Sequence, residues 1–176
     1  MTRALLAVLV LMTAACATGP PEPVAVSLGH DTCASCRMVI SSKTTAAEVL
    51  VPGEEPQFFD DLGCLQTALG AARPPEGTLI VVADHLTGDW IRLEEAVLTE
   101  VPGLATPMGS GLIAHPTAGD RDRDPDARGG RPYDRATLLA GGVRCRPRCG
   151  SVPVTNCCLR SMATPWTPSS QASPVR

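Results

Sequence analysis

The sequence predicts an α+β domain behind an export signal. Three observations carry this. Short runs of β-branched and aliphatic residues alternate with turn-forming clusters. One segment alone, Leu62 to Ala72, shows helical periodicity, with Leu62, Leu65, Leu69 and Ala72 on a single face. Strand pairs mixed with one or two helices fit α+β better than an alternating α/β order.

The elements follow in order. Met38-Val39-Ile40 and Glu48-Val49-Leu50-Val51 read as strands separated by a polar turn, Ser41 to Thr45. Pro52-Gly53-Glu54-Glu55-Pro56 is a loop by composition. Phe58 and Phe59, both phenylalanines of the chain, lead into Asp60-Asp61. An aspartate there caps a helix start and suits its positive dipole end. Pro74-Pro75 stops the helix. The continuous apolar run Thr78 to Ala83 predicts a strand buried on both sides. Trp90 to Leu93 is extended, Glu94 to Ala96 a helical turn, and Val97 to Val101 a further strand. Gly103 to Ala114 is a Gly-rich loop running into an apolar segment. Asp120 to Asp126 places acids at every second position, as a calcium loop does. Pro125 and Arg131 stand where that loop needs Gly and Glu, so a solvated turn or helix start is expected instead.

The N-terminus sets the compartment. Arg3 precedes an apolar run, Ala4 to Ala15, too short to span a bilayer. Ala14-Ala15-Cys16 resembles a bacterial lipobox, although Thr13 replaces the usual Leu. The expectation is a signal peptide over 1–15 and a lipid on Cys16. A stiff Pro-rich tether over 16–27 then leads to a domain over 28–142. The protein is thus expected to be exported and lipid-anchored on the periplasmic or cell-surface side. Residues 143–176 are rich in Arg, Pro and Ser, with no acid and no apolar periodicity. They read as a disordered tail, and Cys145, Cys149, Cys157 and Cys158 lack the paired spacing of a zinc site.

Composition excludes some functions. The chain carries a net charge of −3, and the five Arg of the tail leave −8 for residues 1–142. Such a domain has no electrostatic case for nucleic acid. Aromatics make up 3% of the chain, which also argues against base stacking. Asp84, Asp89, Glu94 and Glu95 form no acid–base arrangement, and no nucleophile–base pair is visible. No enzymatic activity is therefore expected.

The chemistry lies in Cys33-Ala34-Ser35-Cys36-Arg37-Met38. Taken alone, a Cys-x-x-Cys pair outside the cytoplasm reads first as a disulfide or redox couple and second as a metal chelate. Thiolate and thioether sulfur together favour Cu(I). If Cys36 to Met38 is extended, alternation puts both sulfurs on one face. Met108 lies in a Gly-flanked loop, Thr106 to Gly111, an unusual place for a core methionine. A low-coordinate Cu(I) site from Cys36, Met108 and a third donor is expected, with His30, Met38 and Cys33 as candidates for the third. Cys64, on the flank of the helical stripe, reads as a buried free thiol. His85 and His115 read as lone histidines with surface or core roles.

Three motifs occur in order behind the lipobox: Cys33-x-x-Cys36-x-Met38, Phe59-Asp60-Asp61-x-Gly63-Cys64-Leu65 and Pro107-Met108-Gly109-x-Gly111. Together they resemble the NosL family, membrane-anchored copper-binding lipoproteins of nitrous oxide reductase assembly. The resemblance covers residues 28–142. It implies strand–strand–helix–strand units like those of the organomercurial-lyase fold, and Cu(I) delivery to the exported reductase as client. By position it implies sulfur ligands from Cys36, Met108 and Met38. Cys33 is not found in every member, and the tail has no counterpart. The alternative is a thiol–disulfide oxidoreductase lipoprotein using Cys33 and Cys36, which predicts a reactive thiol and a strand-to-helix setting for the motif.

Overall fold

The computed structural model describes residues 21–141. The signal peptide, Cys16 and the tail lie outside them. Among the described residues, no helix is long and apolar enough to cross a membrane.

Two antiparallel sheets and three short α-helices make up the domain. The first sheet holds β1 (Ala47–Leu50), β2 (Gln57–Phe59), β3 (Leu79–Ala83) and β4 (Trp90–Arg92), in the order β2-β1-β3-β4. The second holds β5 (Val97–Glu100), β6 (Leu112–His115) and β7 (Arg131–Pro132), in the order β6-β5-β7. Helix α1 spans Leu62–Ala71, α2 Ala118–Arg123 and α3 Arg135–Leu139. An α+β domain is what the sequence predicted.

The chain repeats one pattern. β1, β2, α1 and β3 run strand, strand, helix, strand, and so do β5, β6, α2 and β7. In each unit the first strand is central and is flanked by the second and third. The two sheets meet where Asp84, just after β3, forms a parallel bridge with Ala114 of β6.

Side-chain alternation divides the first sheet into two apolar faces. Val49, Phe59, Ile80, Val82 and Ile91 pack with Leu62, Leu65 and Leu69 of α1 and Leu138 of α3 in the main core. The other face carries a smaller cluster of Leu50, Leu79 and Val81. This makes β3 buried along its whole length, as its unbroken apolar run predicts. The N-terminal segment crosses the same outer region. The fully buried Glu48 accepts the Val24 N–H through both carboxylate oxygens, at 3.2 and 3.1 Å. Trp90 Nε1 donates to Val24 O at 2.9 Å.

The sequence reading needs three local corrections. Met38 to Ile40 is not a strand; it forms one side of a tight loop with a single bridge, Thr32 to Val39. Ala72 lies just past the end of α1 in extended conformation rather than on its apolar face. Asp120 does lie in the first turn of a helix, yet Asp124, at the end of that helix, is only 3% exposed and turns inward. The helices α1 and α3 meet through glycines. A Cβ on Gly141 would lie 1.9 Å from Gly70 Cα, so only glycine permits that approach.

Candidate metal centre

The first part of the site is a loop that folds back on itself. Gly29 N–H donates to Ile40 O at 3.1 Å and Ile40 N–H to Asp31 O at 2.8 Å. Nearer the tip, Cys33 N–H donates to Met38 O at 2.8 Å and Arg37 N–H to Cys33 O at 3.0 Å. Closing so tight a tip requires a left-handed residue, and Arg37 takes it at φ 66°. That conformation is uncommon outside glycine. The segment Cys36 to Met38 is therefore not extended, and strand alternation is not what orients its sulfurs. The turn instead brings the Cys36 N–H to 3.5 Å from Cys33 Sγ. Ala34 N–H donates to Phe58 O at 2.8 Å, which fastens the tip to β2.

The second part is the start of α1. Asp61 caps it, with Oδ1 accepting the Gly63 N–H at 2.6 Å. Its neighbour Asp60 faces the other way and accepts the Ser41 N–H at 2.7 Å. Cys64 sits in the first helical turn. Its sulfur and those of Cys33 and Cys36 all lie within 4.8 Å of one another. All three are free thiols. Cys33 and Cys64 are buried and Cys36 is half-buried, so the cluster has one accessible side.

This cluster could hold a metal ion. Metal–sulfur bonds of about 2.3 Å place the donors of a tetrahedral ion roughly 3.8 Å apart. Three unpaired sulfurs within 4.8 Å of one another are compatible with such a donor set. Their protonation is unequal. Burial pushes the Cys33 thiol up, but N–H groups of Cys36, Asp60 and Ser35 outweigh it and hold the thiol below its ordinary value. Burial, then the charges of Cys33 and Cys36, push the Cys64 thiol far up.

The third part is the Met108 loop from the second unit. Asp61 Oδ2 accepts the Thr106 hydroxyl at 2.6 Å and the Met108 N–H at 3.0 Å. Burial raises the Asp61 carboxyl, but donors from Ser110, Thr106, Gly63 and Met108 more than offset this and hold it low. Gly63 makes the docking close: a Cβ there would lie 2.8 Å from Ser110 Cβ.

The structure thus brings Cys33 and Cys36 together and adds Cys64, which sequence reading had left as a plain buried thiol. Its position three residues after a helix-capping aspartate was the available signal. Met38 is fastened by its backbone to Cys33, and Met108 to the capping Asp61 three residues before Cys64; the two methionines are 55% and 47% exposed. His30 is exposed on the turn that opens the loop and is not in the cluster. His85 and His115 are not lone: both contact Asp124.

No protein-family model matches the chain, and no curated protein matches it.

Proposed function

We propose that this chain is a membrane-anchored Cu(I) carrier of the NosL type, which hands copper to an exported cuproenzyme, nitrous oxide reductase as the first client to test. The observation that carries the reading is the convergence of three free sulfurs on one point. Soft thiolates select Cu(I) over harder ions. The half-buried Cys36 gives the ion a way in. The exposed thioethers of Met38 and Met108 suit transient ligands that pass copper on by exchange. A lipid on Cys16 and the Pro-rich tether would keep the carrier near copper exporters and secreted apo-protein. The repeated strand–strand–helix–strand order agrees with the fold that the NosL resemblance implies.

Cu(I) titration of the reduced chain against a competing chelator tests this. One ion is expected to bind with high affinity in a variant lacking the tail cysteines. Cys36→Ser and Cys64→Ser should each weaken it by more than about tenfold. Retention of full affinity when Cys33, Cys36 and Cys64 are all Ser would sink the reading. Binding must displace the Cys64 proton, so affinity should fall at least about tenfold for each pH unit lowered near neutrality. Met108→Ala should slow transfer to the client more than it weakens binding.

A thiol–disulfide oxidoreductase is the second reading. One observation favours it: the Cys33 thiol is held below its ordinary value. Against it, the motif lies at a loop tip rather than at a helix start, and Cys33 is fully buried. A Cys33→Ser protein that supports full client activity would exclude it.

A further inference from the structure

We infer that His85, His115 and Asp124 form a second metal site, for a divalent transition cation of the zinc type, sharing no residue with the thiol cluster. Three separate elements deliver the donors. His85 follows β3 and its N–H donates to Ala114 O at 2.9 Å, which locks it alongside β6. His115 is the last residue of β6. Asp124 ends α2 and caps the short 3-10 turn after it, with Oδ1 accepting the Asp126 N–H at 2.9 Å.

That leaves Asp124 Oδ2 aimed between the rings. His85 Nδ1 lies 2.7 Å from it and His115 Nε2 2.9 Å. Both nitrogens thus meet the same carboxylate oxygen, from rings that stand at 70° with centroids 6.1 Å apart. One donor atom from each residue lies within 4.8 Å of the others. Zinc–nitrogen bonds of about 2.1 Å place tetrahedral donors roughly 3.4 Å apart, so an ion needs the His115 contact to open by about 0.5 Å and the His85 contact by about 0.7 Å.

Burial and access fit a bound ion. The His115 and Asp124 side chains are 0% and 2% exposed, whereas His85 is 12% exposed and forms the open side. A polar recess of about 270 Å³ reaches Asp124 but neither histidine, and Arg121 and Arg128 line it, so an ion would enter from the His85 side. Two imidazoles and a carboxylate are borderline-to-hard donors, suited to zinc-like divalent ions rather than to Cu(I). Each ring would turn the nitrogen facing Asp124 into a lone-pair donor and keep its proton on the other nitrogen. In His115 that other atom, Nδ1, is buried and has no partner. A bound ion would leave that N–H without an acceptor, a cost that the metal–nitrogen bond must offset. The competing arrangement is a hydrogen-bonded clasp that joins the sheets and takes no ion.

Zn(II) added to the reduced full chain, after its thiols are filled with Cu(I), separates the two. Long-range ¹H–¹⁵N spectra should show His85 Nδ1 and His115 Nε2 moving to metal-bound shifts at one equivalent, with His30 unmoved. His85→Ala should lower zinc affinity more than about tenfold and leave Cu(I) binding unchanged. If the two ring nitrogens stay at their metal-free shifts under saturating zinc, or if His85→Ala binds zinc as tightly, the triad is a hydrogen-bonded clasp only. The spectrum of the unsubstituted chain decides even if His85→Ala fails to fold.

Discussion

The two strand–strand–helix–strand units share an order of elements but differ in what holds them. In the first, α1 is ten residues long and buries Leu62, Cys64, Leu65 and Leu69. In the second, α2 has six residues and buries none. The first unit is therefore an apolar scaffold, and its helix start is rigid enough to fix a thiol. The second is pinned by polar contacts at its margins: Asp124 with two histidines, Glu100 with Arg131, and the loop after β5 with Asp61. Thiols sit on the stiff unit, while an exposed thioether sits on the softer one. That division suits a carrier that must both hold and release. Asp61 is one place where the two meet, alongside the Asp84–Ala114 bridge and the His85–Asp124 contact.

The largest effect should come from breaking the Asp61 contact. Asp61 is fully buried and accepts from Gly63, Thr106 and Met108. Asp61→Ala leaves those donors unpaired and removes a helix cap, which should cost about 4 kcal/mol. Urea unfolding measures it. A loss below about 1 kcal/mol would mean the units are held together elsewhere.

Next is the buried acid of the first unit. Burial first, and then the charge of Asp31, push the Glu48 carboxyl up to about 7 from its ordinary 4.5, against the lowering effect of the Val24 N–H. The unfolded chain sheds this proton first. Between about pH 4.5 and 7 the folded state thus binds more protons, and its stability falls as pH rises, by about 3 kcal/mol in all. Below 4.5 the effect is absent because both states are protonated. Glu48→Gln should flatten this slope when melting is followed against pH, and an unchanged slope would assign it to another group. The second unit has no buried acid of this kind on its central strand. Its Glu100 is paired at the surface with Arg131.

These two residues also show what was legible beforehand. Apolar runs and caps could be read locally, so α1, β3, β5 and the cap at Asp61 were visible in the sequence. The site was half visible. Cys33 and Cys36 lie close in sequence, and their proximity needs only a turn. The turn itself was misread because a left-handed Arg37 has no propensity signal. Cys64 joins them only through the packing of α1 behind the loop, a contact between residues about thirty apart. His85, His115 and Asp124 were invisible as a group for the same reason. They meet only because one sheet's end bridges to the other's strand.

A smaller effect tests the fit of the docking itself. Gly63→Ala sets a Cβ against Ser110 Cβ at 2.8 Å. Alanine favours the helix, which offsets part of the clash. The net loss should be about 1 kcal/mol, with the Met108 loop displaced by a few tenths of an ångström. Hydrogen exchange at the Met108 amide should rise well before global stability falls, since that amide is held to α1 through its bond to the capping Asp61. Exchange that rises only together with unfolding would show that the loop and helix form one cooperative unit.

The smallest effect is expected at the far margin of the second unit. Arg131 contacts Glu100 through two nitrogens, at 3.0 and 2.9 Å, yet its side chain is 65% exposed. Solvent screens such a pair, and ordering a long side chain costs entropy. Arg131→Ala should therefore change stability by less than about 0.5 kcal/mol, and less again in high salt. β7 is only two residues long and both are exposed. It is held to β5 by register with Thr99 and Glu100. If Arg131→Ala instead costs as much as Gly63→Ala, the ion pair is what closes the second sheet. The softness assigned to that unit would then lie in its loop alone and not in its strands.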